Sequence, residues 1–239
     1  MHTQWTTTPL DVARIRAISL DLDDTLWPVW PVIARAEAAL CDWLAQHAPA
    51  TVARFPDAAA HRVVVKQLWT ERPDLHVDLG ALRREAIRAA LLQSGDDGTL
   101  AAAAFDCFYA ARQRVELFDD ALSTLEFLAA RYPLVAVSNG NADVALTGVG
   151  AFFRAHLGAP ALGFAKPDAR IFHAAAQALQ VAPEQVLHIG DDALLDARGA
   201  LDAGLQAVWL NRQGQEWTHP GARPQAVVGD LRTLCGLLE

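Results

Sequence analysis

Apolar and polar positions follow two distinct patterns along the chain. In the first pattern, short and mostly apolar runs are bounded by polar residues, which predicts the buried strands of a parallel sheet. These predicted strands are Ala17–Leu20, Leu134–Val137, Ala161–Phe164, Val186–Ile189, Ala207–Leu210 and Ala226–Val228. In the second pattern, apolar residues recur every three to four positions, which predicts amphipathic helices. Beyond residue 117 these helices are predicted at 121–129, 169–179, 194–203 and 231–238.

Residues 28–117, between the first and second predicted strands, carry only the helical pattern. The helices expected there cover 33–44, 63–69, 79–92 and 100–115, with breakers at Pro49, Pro56, Pro73 and 95–98. Strands that alternate with helices predict an α/β fold with a doubly wound, Rossmann-like parallel sheet. We therefore predict a core domain of residues 1–27 and 118–239 and an inserted, all-helical cap domain of residues 28–117. Because α/β sheets bind ligands at the carboxyl ends of their strands, this insertion is a candidate lid.

Composition and charge narrow the function classes. The 239 residues carry a formal net charge of −8 and no cluster of Lys and Arg, which argues against a nucleic-acid partner. The three cysteines show no CxxC spacing and the eight histidines show no ligand spacing, so no zinc site or disulfide framework is expected. His188 is interpreted as a hydrogen-bonded core histidine. The polar N-terminus and the absence of a bilayer-length apolar run predict a cytoplasmic protein without a membrane partner, either a monomer or a homodimer.

Three carboxylates directly follow the first predicted strand. If the extended conformation continued, Asp21 and Asp23 would project from the same face of the strand. Like charges this close repel each other unless a cation or protons neutralise them. The sequence therefore predicts either a bound divalent metal or a protonated carboxylate at this point. Asp24 and Thr25 are also typical of a turn or a cap.

Polar clusters occur at three further element boundaries. Ser138-Asn139-Gly140 follows the second predicted strand, and Lys166-Pro167-Asp168 precedes a helix. Gly190-Asp191-Asp192 follows the strand that ends at Ile189, and Asp196 lies a few residues beyond. Each cluster alone has a structural interpretation as a turn, a solvated lysine or a helix cap. Because the carboxyl ends of parallel strands share one edge of a sheet, the clusters are expected to converge on one site.

In order and spacing, the four clusters resemble the four motifs of phosphatases of the haloacid dehalogenase superfamily that carry a helical cap of the first type. The resemblance extends from Ile15 over nearly the whole remaining chain. It implies that Asp21 is the nucleophile and forms an aspartyl-phosphate. It implies that Asp23 is the general acid and base, and that Lys166 neutralises charge on the phosphoryl group and on Asp21.

The same resemblance implies a phosphate site and a Mg²⁺ site. The implied phosphate-binding residues are Thr25, Ser138, Asn139, Gly140 and Lys166, with the amides of Asn139 and Gly140 opening a helix. The implied Mg²⁺ ligands are the carboxylates of Asp21 and Asp191 and the backbone carbonyl of Asp23. Asp192 and Asp196 are expected in the second shell of the metal, where Asp196 either holds a metal-bound water or orients Lys166.

The acid at position 23 bears on the type of reaction. A halide leaving group needs no proton, and the dehalogenases of this superfamily lack an acid at that place. The sequence thus favours the hydrolysis of a small phosphorylated metabolite. The alternatives are a 2-haloacid dehalogenase, a phosphomutase of the same superfamily, and a binding module that has lost turnover.

Four stretches are similar to the bacterial 5-amino-6-(5-phospho-D-ribitylamino)uracil phosphatases, which act in riboflavin biosynthesis and also hydrolyse FMN. These stretches are 20–27, 76–78, 133–142 and 190–210. The similarity implies one of those two compounds as substrate. Trp27, Trp30, His76 and Arg83 are the candidates for holding the leaving group, the tryptophans by stacking on a flat heterocycle. The alternative is that the tryptophans pack the hinge and Arg83 is a solvated helix residue.

Overall fold

The computed structural model describes residues 9–239, and six strands of this part of the chain form one parallel sheet. They are β1 (Ala17–Leu20), β2 (Leu134–Ser138), β3 (Ala155–Gly158), β4 (Val186–Gly190), β5 (Gln206–Leu210) and β6 (Ala226–Val228). The strand order is β3-β2-β1-β4-β5-β6, so the chain direction across the sheet reverses at β1. Such a switch point is where doubly wound sheets bind ligands. The predicted fold class is confirmed.

The chain divides into two compact units. One unit contains the sheet and comprises the residues up to Pro28 together with Glu116–Glu239, and the other is Val29–Val115. The second unit is built from α1 (Val29–His47), α2 (Pro49–Arg54), α3 (Ala58–Glu71), α4 (Leu79–Ser94) and α5 (Ala101–Arg112). Its apolar core includes Leu40, Leu44, Leu91 and Phe108. Pro49, expected only to interrupt the helices, is instead the first residue of α2, where its missing N–H costs no hydrogen bond.

Helices flank the sheet within the first unit. They are α6 (Ala121–Ala129), α7 (Ala159–Leu162), α8 (Ala169–Ala178), α9 (Gly199–Asp202) and α10 (Leu231–Leu237), with a π-helix at Ala193–Arg198 directly before α9. Phe172 of α8 packs in one buried cluster with Ala17 of β1 and Val135 of β2. The burial of a side chain as large as Phe172 contributes about 2 kcal/mol to the free energy of unfolding. β1, β2, β4 and β5 are buried along their whole length, as the near-continuous apolar runs predict.

The prediction of a strand at Ala161–Phe164 is wrong. The strand in this region is β3, Ala155–Gly158, and the chain continues into the short helix α7. Pro160 lies in the first turn of α7, where its fixed φ suits a helix, and Gly163 ends α7 with a φ of 76°. β3 is a partly exposed edge strand that contains a histidine and a glycine, so it lacks the apolar run used to find the other strands.

Among residues 9–239, every helix is too short or too polar to cross a lipid bilayer.

Candidate active site

The predicted site residues of the α/β unit lie where the central strands end. Asp21 follows β1, Asn139 follows β2 and Asp191 follows β4. The amide of Asp21 donates to the carbonyl of Ile189 over 2.9 Å, which extends the pairing of β1 with β4 by one residue. Parallel pairing therefore brings these three loops to one edge of the sheet, although they are far apart in sequence.

Lys166 lies between two carboxylates. Its Nζ atom is 2.5 Å from Oδ1 of Asp21 and 2.6 Å from Oδ1 of Asp196, and all three residues are buried. The side chain of Asn139 holds the backbone of Lys166 from both sides. Its Oδ1 accepts from the Lys166 amide over 2.8 Å, and its Nδ2 donates to the Lys166 carbonyl over 2.9 Å. The loop after β2 thus fixes the lysine that the third motif supplies.

Asp196 is a fully hydrogen-bonded buried carboxylate. Besides Lys166, its Oδ1 accepts from Nε2 of His188 over 3.1 Å, and its Oδ2 accepts from the amide of Asp192 over 3.0 Å. A Cβ on Gly190 would lie 2.3 Å from Cγ of Asp196, so only glycine fits at that position. Burial opposes ionisation, but the Lys166 ammonium and the His188 hydrogen bond outweigh it and hold the pKa of Asp196 well below its usual range. Of the two predicted roles for Asp196, these contacts match the orientation of Lys166.

Two other acids near Lys166 carry an unfavourable charge. Burial raises the pKa of Asp21 to about 7, against the opposing effect of Lys166 and with a further rise from Asp196. Burial, together with the charges of Asp21, Asp196 and Asp24, raises the pKa of Asp191 to about 8. One oxygen from each of Asp21, Asp191 and Asp196 lies within 4.8 Å of the others. A bound cation would relieve this repulsion.

The donor set fits Mg²⁺, which prefers oxygen ligands. Since the oxygens of Asp196 already accept hydrogen bonds from Lys166, His188 and Asp192, Asp21 and Asp191 are the carboxylates best able to bind a metal. The backbone of Asp191 is held in place by Trp209, whose indole Nε1 donates to the Asp191 carbonyl over 2.7 Å. Thr25 is fully buried, and its hydroxyl lies 3.5 Å from Oδ1 of Asp191.

Asp23 is held by a tryptophan four residues further along the chain. The indole Nε1 of Trp27 donates to Oδ1 of Asp23 over 2.8 Å. Trp27 is fully buried, so it has no exposed ring face for a substrate, contrary to the prediction that it stacks on one. Asp24 has a φ of 57°, and its amide donates to the Trp27 carbonyl over 2.8 Å, as expected for a turn residue.

The structure corrects one prediction for the loops and adds the contacts of Asp192. The chain forms a turn after Gly140 and not a helix. In this loop, Oγ of Ser138 accepts a hydrogen bond from the Gly140 amide over 3.0 Å, and the Asn139 side chain is bound to Lys166. The predicted helix N-terminus is therefore absent from this loop. Oδ1 of Asp192 caps the π-helix by accepting from the amides of Leu194 and Leu195, and its expected place near the metal, beyond the direct ligands, stays a prediction.

Arg212, two residues after β5, is not among the residues predicted from the sequence. Its guanidinium binds both carboxylate oxygens of Asp120, at 3.0 and 2.9 Å, and donates to the carbonyl of Thr25 over 3.2 Å. It also lies over the ring of Phe118, 4.1 Å from the centroid. Arg212 thus ties the loop after β1 to the segment that leads into α6. No local pattern marks it, since it is a lone arginine in a polar loop.

The remaining predicted residues, Trp30, His76 and Arg83, lie in the helical unit. Trp30 is 70% exposed. His76 stacks on Trp69 with ring centroids 3.8 Å apart, and its Nε2 lies 2.6 Å from the Trp69 carbonyl. Arg83 is not a solvated helix residue, because it pairs with buried Glu37 over 3.4 Å and lies over the ring of Phe108.

Comparison with known proteins identifies the family of this chain. Residues 15–204 match the haloacid dehalogenase-like hydrolase family. This chain belongs to that family. The resemblance drawn from the four motifs is therefore confirmed, and the protein is a hydrolase by family.

Its similar proteins include phosphatases and a dehalogenase. This hydrolase is 34% identical over 204 residues to the 5-amino-6-(5-phospho-D-ribitylamino)uracil phosphatase YigB of Escherichia coli (strain K12). The matched stretch covers 83% of this chain and 84% of that protein. It is 32% identical over 243 residues to the phosphoserine phosphatase of Thermus thermophilus, covering 91% of this chain and 97% of that protein. A solved structure, a 2-haloacid dehalogenase from Pseudomonas syringae pv. Tomato DC3000, is 36% identical with a TM-score of 0.84, covering 94% of this chain and 98% of that one.

Proposed function

We propose that this hydrolase is a Mg²⁺-dependent phosphatase of small phosphorylated metabolites that acts through an aspartyl-phosphate on Asp21. The observation that carries the proposal is the placement of Lys166, 2.5 Å from Asp21 and 2.6 Å from Asp196. A second acid, Asp23, is held by Trp27 close enough for its charge to act on Asp21. An anionic nucleophile can approach an anionic phosphate only where cations offset the repulsion.

The proposed reaction has two steps. In the first, an Asp21 carboxylate oxygen attacks phosphorus and the bond to the leaving alkoxide breaks, while Asp23 donates a proton to that alkoxide. In the second, Asp23 takes a proton from water, which attacks phosphorus and releases phosphate and the Asp21 carboxylate. Asp21, Asp191 and the Asp23 carbonyl would hold Mg²⁺, which when bound would neutralise charge on the phosphoryl group. The hydroxyls of Ser138 and Thr25 and the amide of Asn139 are the proposed contacts to phosphate, since the Gly140 amide donates to Ser138.

The substrate we propose is 5-amino-6-(5-phospho-D-ribitylamino)uracil, with FMN as the second compound to test. Support comes from the similarity to the Escherichia coli phosphatase of that name. We propose that residues 28–117 act as a cap domain whose Trp30, His76 and Arg83 contribute to recognition of the leaving group. A cytoplasmic location fits such a metabolic role.

The test is phosphate release from a metabolite panel that includes both compounds, phosphoserine and p-nitrophenyl phosphate, with and without Mg²⁺. The proposal expects turnover with Mg²⁺ that Asp21→Asn lowers by at least about a thousandfold. Asp24→Asn is the matched control, the same substitution three residues away at a turn position that asparagine tolerates, and it retains activity within a few-fold. Equal activity of Asp21→Asn and the wild type contradicts the mechanism.

A second candidate function is 2-haloacid dehalogenation, favoured by the dehalogenase structure at 36% identity. Asp23 separates the two candidates. Asp23→Asn should reduce kcat/KM for an alkyl phosphate by about a hundredfold or more, but much less for p-nitrophenyl phosphate, whose leaving group needs no proton. Halide release from 2-chloropropionate without Mg²⁺, and without any phosphatase activity, would establish the alternative.

A further inference from the structure

His188 connects the centre of the sheet to the site and has no role in the mechanism above. It lies fully buried in β4, directly opposite Ser19 of β1 in the parallel register. Its Nδ1 is 2.8 Å from Oγ of Ser19, and its Nε2 is 3.1 Å from Oδ1 of Asp196. The edge of the ring packs against Phe172, with centroids 5.0 Å apart and planes at 85°. The imidazole therefore has one fixed orientation.

The partners determine where the ring proton is. An ionised carboxylate only accepts hydrogen bonds, so the proton facing Asp196 is on Nε2. Nδ1 then presents its lone pair and accepts from the hydroxyl of Ser19. Burial lowers the pKa of His188, against the opposing effect of Asp196, which agrees with a neutral ring. A neutral His188 donates a hydrogen bond to Asp196 but brings no positive charge, so the ion pair between Asp196 and Lys166 is kept.

We propose that Ser19 and His188 are positioning residues that fix the carboxylate of Asp196 and, through it, the Nζ atom of Lys166 beside Asp21. His188 holds Oδ1 of Asp196 while the Asp192 amide holds Oδ2, so the carboxylate is anchored at both oxygens. Lys166 shares Oδ1 with His188 and reaches Asp21 from that fixed point. The inference deepens the proposed function and rests on it for its kinetic consequences.

The test uses two amide side chains of different length in place of His188. The amide of a glutamine reaches the place of the ring Nε2, whereas that of an asparagine reaches only the place of Nδ1. His188→Asn should lower kcat by about 30-fold with KM within about threefold, since small misplacements of catalytic groups are costly. His188→Gln should retain kcat within about fivefold, although both variants lose the ring packed on Phe172. Equal loss of kcat in both, or an unchanged kcat in a folded His188→Asn protein, would overturn the proposal.

Two measurements do not need turnover. A ¹⁵N spectrum of the wild type, with the His188 signals assigned by their loss in His188→Gln, should show a neutral ring protonated on Nε2. A ring protonated on Nδ1, or on both nitrogens, overturns the assignment. A crystal structure of His188→Asn should show a longer Lys166–Asp21 contact than a crystal structure of the wild type, and an unchanged contact overturns the positioning role. If the wild type cleaves no phosphate ester, the proposed function fails while these two results still decide the inference.

Ser19→Ala removes the donor to Nδ1 and tests the other half of the pair. The ring is then held only by Asp196 and Phe172, so its orientation is less fixed and kcat should fall by about fivefold, less than in His188→Asn. A kcat equal to that of the wild type would remove Ser19 from the proposal.

Discussion

Each of the two units contains a partly buried ion cluster, and the two clusters differ in their balance of charge. The acid cluster of the α/β unit consists of Asp21, Asp191 and Asp196 around Lys166. The arginine cluster of the helical unit consists of Glu37, 2% exposed, between Arg62 at 2.5 Å and Arg83 at 3.4 Å. The first cluster has more carboxylates than its cation can neutralise, and the second has more cations than its carboxylate can neutralise.

The difference indicates which cluster is built for chemistry. In the acid cluster, burial and mutual repulsion raise the pKa values of Asp21 and Asp191 to about 7 and about 8. In the arginine cluster, burial and then the charge of Arg83 lower the pKa of nearby His61. An excess of buried carboxylates attracts a cation, whereas the arginine cluster repels one. Buried ion pairs alone thus do not mark an active site, but an excess of buried carboxylates is a reason to look for a bound cation.

The largest effect should come from removing the cation of the acid cluster. Lys166→Met leaves Asp21 and Asp196 unpaired and leaves the charge of an incoming phosphate unopposed, so kcat/KM should fall by at least about a thousandfold. Arg62→Met is the matched control, because the Arg62 side chain is 51% exposed and Glu37 keeps Arg83. It should retain kcat/KM within about threefold. A Lys166→Met enzyme with more than a tenth of wild-type activity would contradict the comparison.

The next effect is the response to a metal. Mg²⁺ at about a hundred times its Kd should raise the free energy of unfolding by about 2.7 kcal/mol, because only the folded acid cluster binds it. Thermal unfolding with Mg²⁺ and with EDTA measures this, and Asp191→Asn should abolish most of the shift. Glu37→Gln, which changes the other cluster, should keep it. A shift of equal size in Asp191→Asn would place the metal elsewhere.

Within the arginine cluster, the expected effect is on stability. Glu37→Gln leaves Arg83, with 15% of its side chain exposed, without its carboxylate, and should cost about 2 kcal/mol in urea unfolding. Arg62→Met should cost less than about 1 kcal/mol, since half of its side chain is already in water. If the two substitutions lower the free energy of unfolding equally, the pairing of Glu37 with Arg83 adds no stability beyond that of the exposed Arg62–Glu37 pair.

The sequence predicted the parts that depend on short stretches of chain. The runs at Ala17–Leu20 and Val186–Ile189 predicted buried parallel strands, and that pairing brought Asp21 and Asp191 together as expected. Asp24 was expected in a turn for the same local reason. Edge strand β3 was missed because a strand with one exposed side needs no apolar run.

Contacts across the fold could not be predicted in this way. His188 was expected to be a hydrogen-bonded core histidine, and it is one, but its partners depend on the register that places it opposite Ser19. Asn139 was assigned to phosphate on the basis of its motif, whereas its side chain binds Lys166, 27 residues away. Trp27 and Trp209 each donate to a predicted site residue from the buried core. No spacing rule in one sequence gives such contacts.

The smallest expected effect is the pH dependence of stability without metal. Its direction distinguishes the acid cluster from the arginine cluster. The pKa values of Asp21 and Asp191 are raised from 3.8 to about 7 and about 8 on folding, so the folded protein binds more protons than the unfolded chain until about pH 8. Stability should therefore fall as pH rises. His61, His156 and His188 have pKa values that burial lowers, wholly or in part, and they act in the opposite direction, but only below the ordinary histidine pKa of about 6.5.

The acids should thus dominate between about pH 6.5 and pH 8, where urea unfolding in EDTA is expected to show a loss of about 1 kcal/mol per pH unit. Asp191→Asn should remove about two thirds of this slope, because Asp191 has the higher pKa of the two acids, and Mg²⁺ should flatten it because a bound cation favours the ionised carboxylates. Glu37→Gln should leave the slope unchanged, since Glu37 and its arginines lie in the helical unit, outside the acid cluster. A metal-free stability that rises from pH 6.5 to pH 8 would mean that the repulsion among Asp21, Asp191 and Asp196 is relieved by something other than protons or a metal.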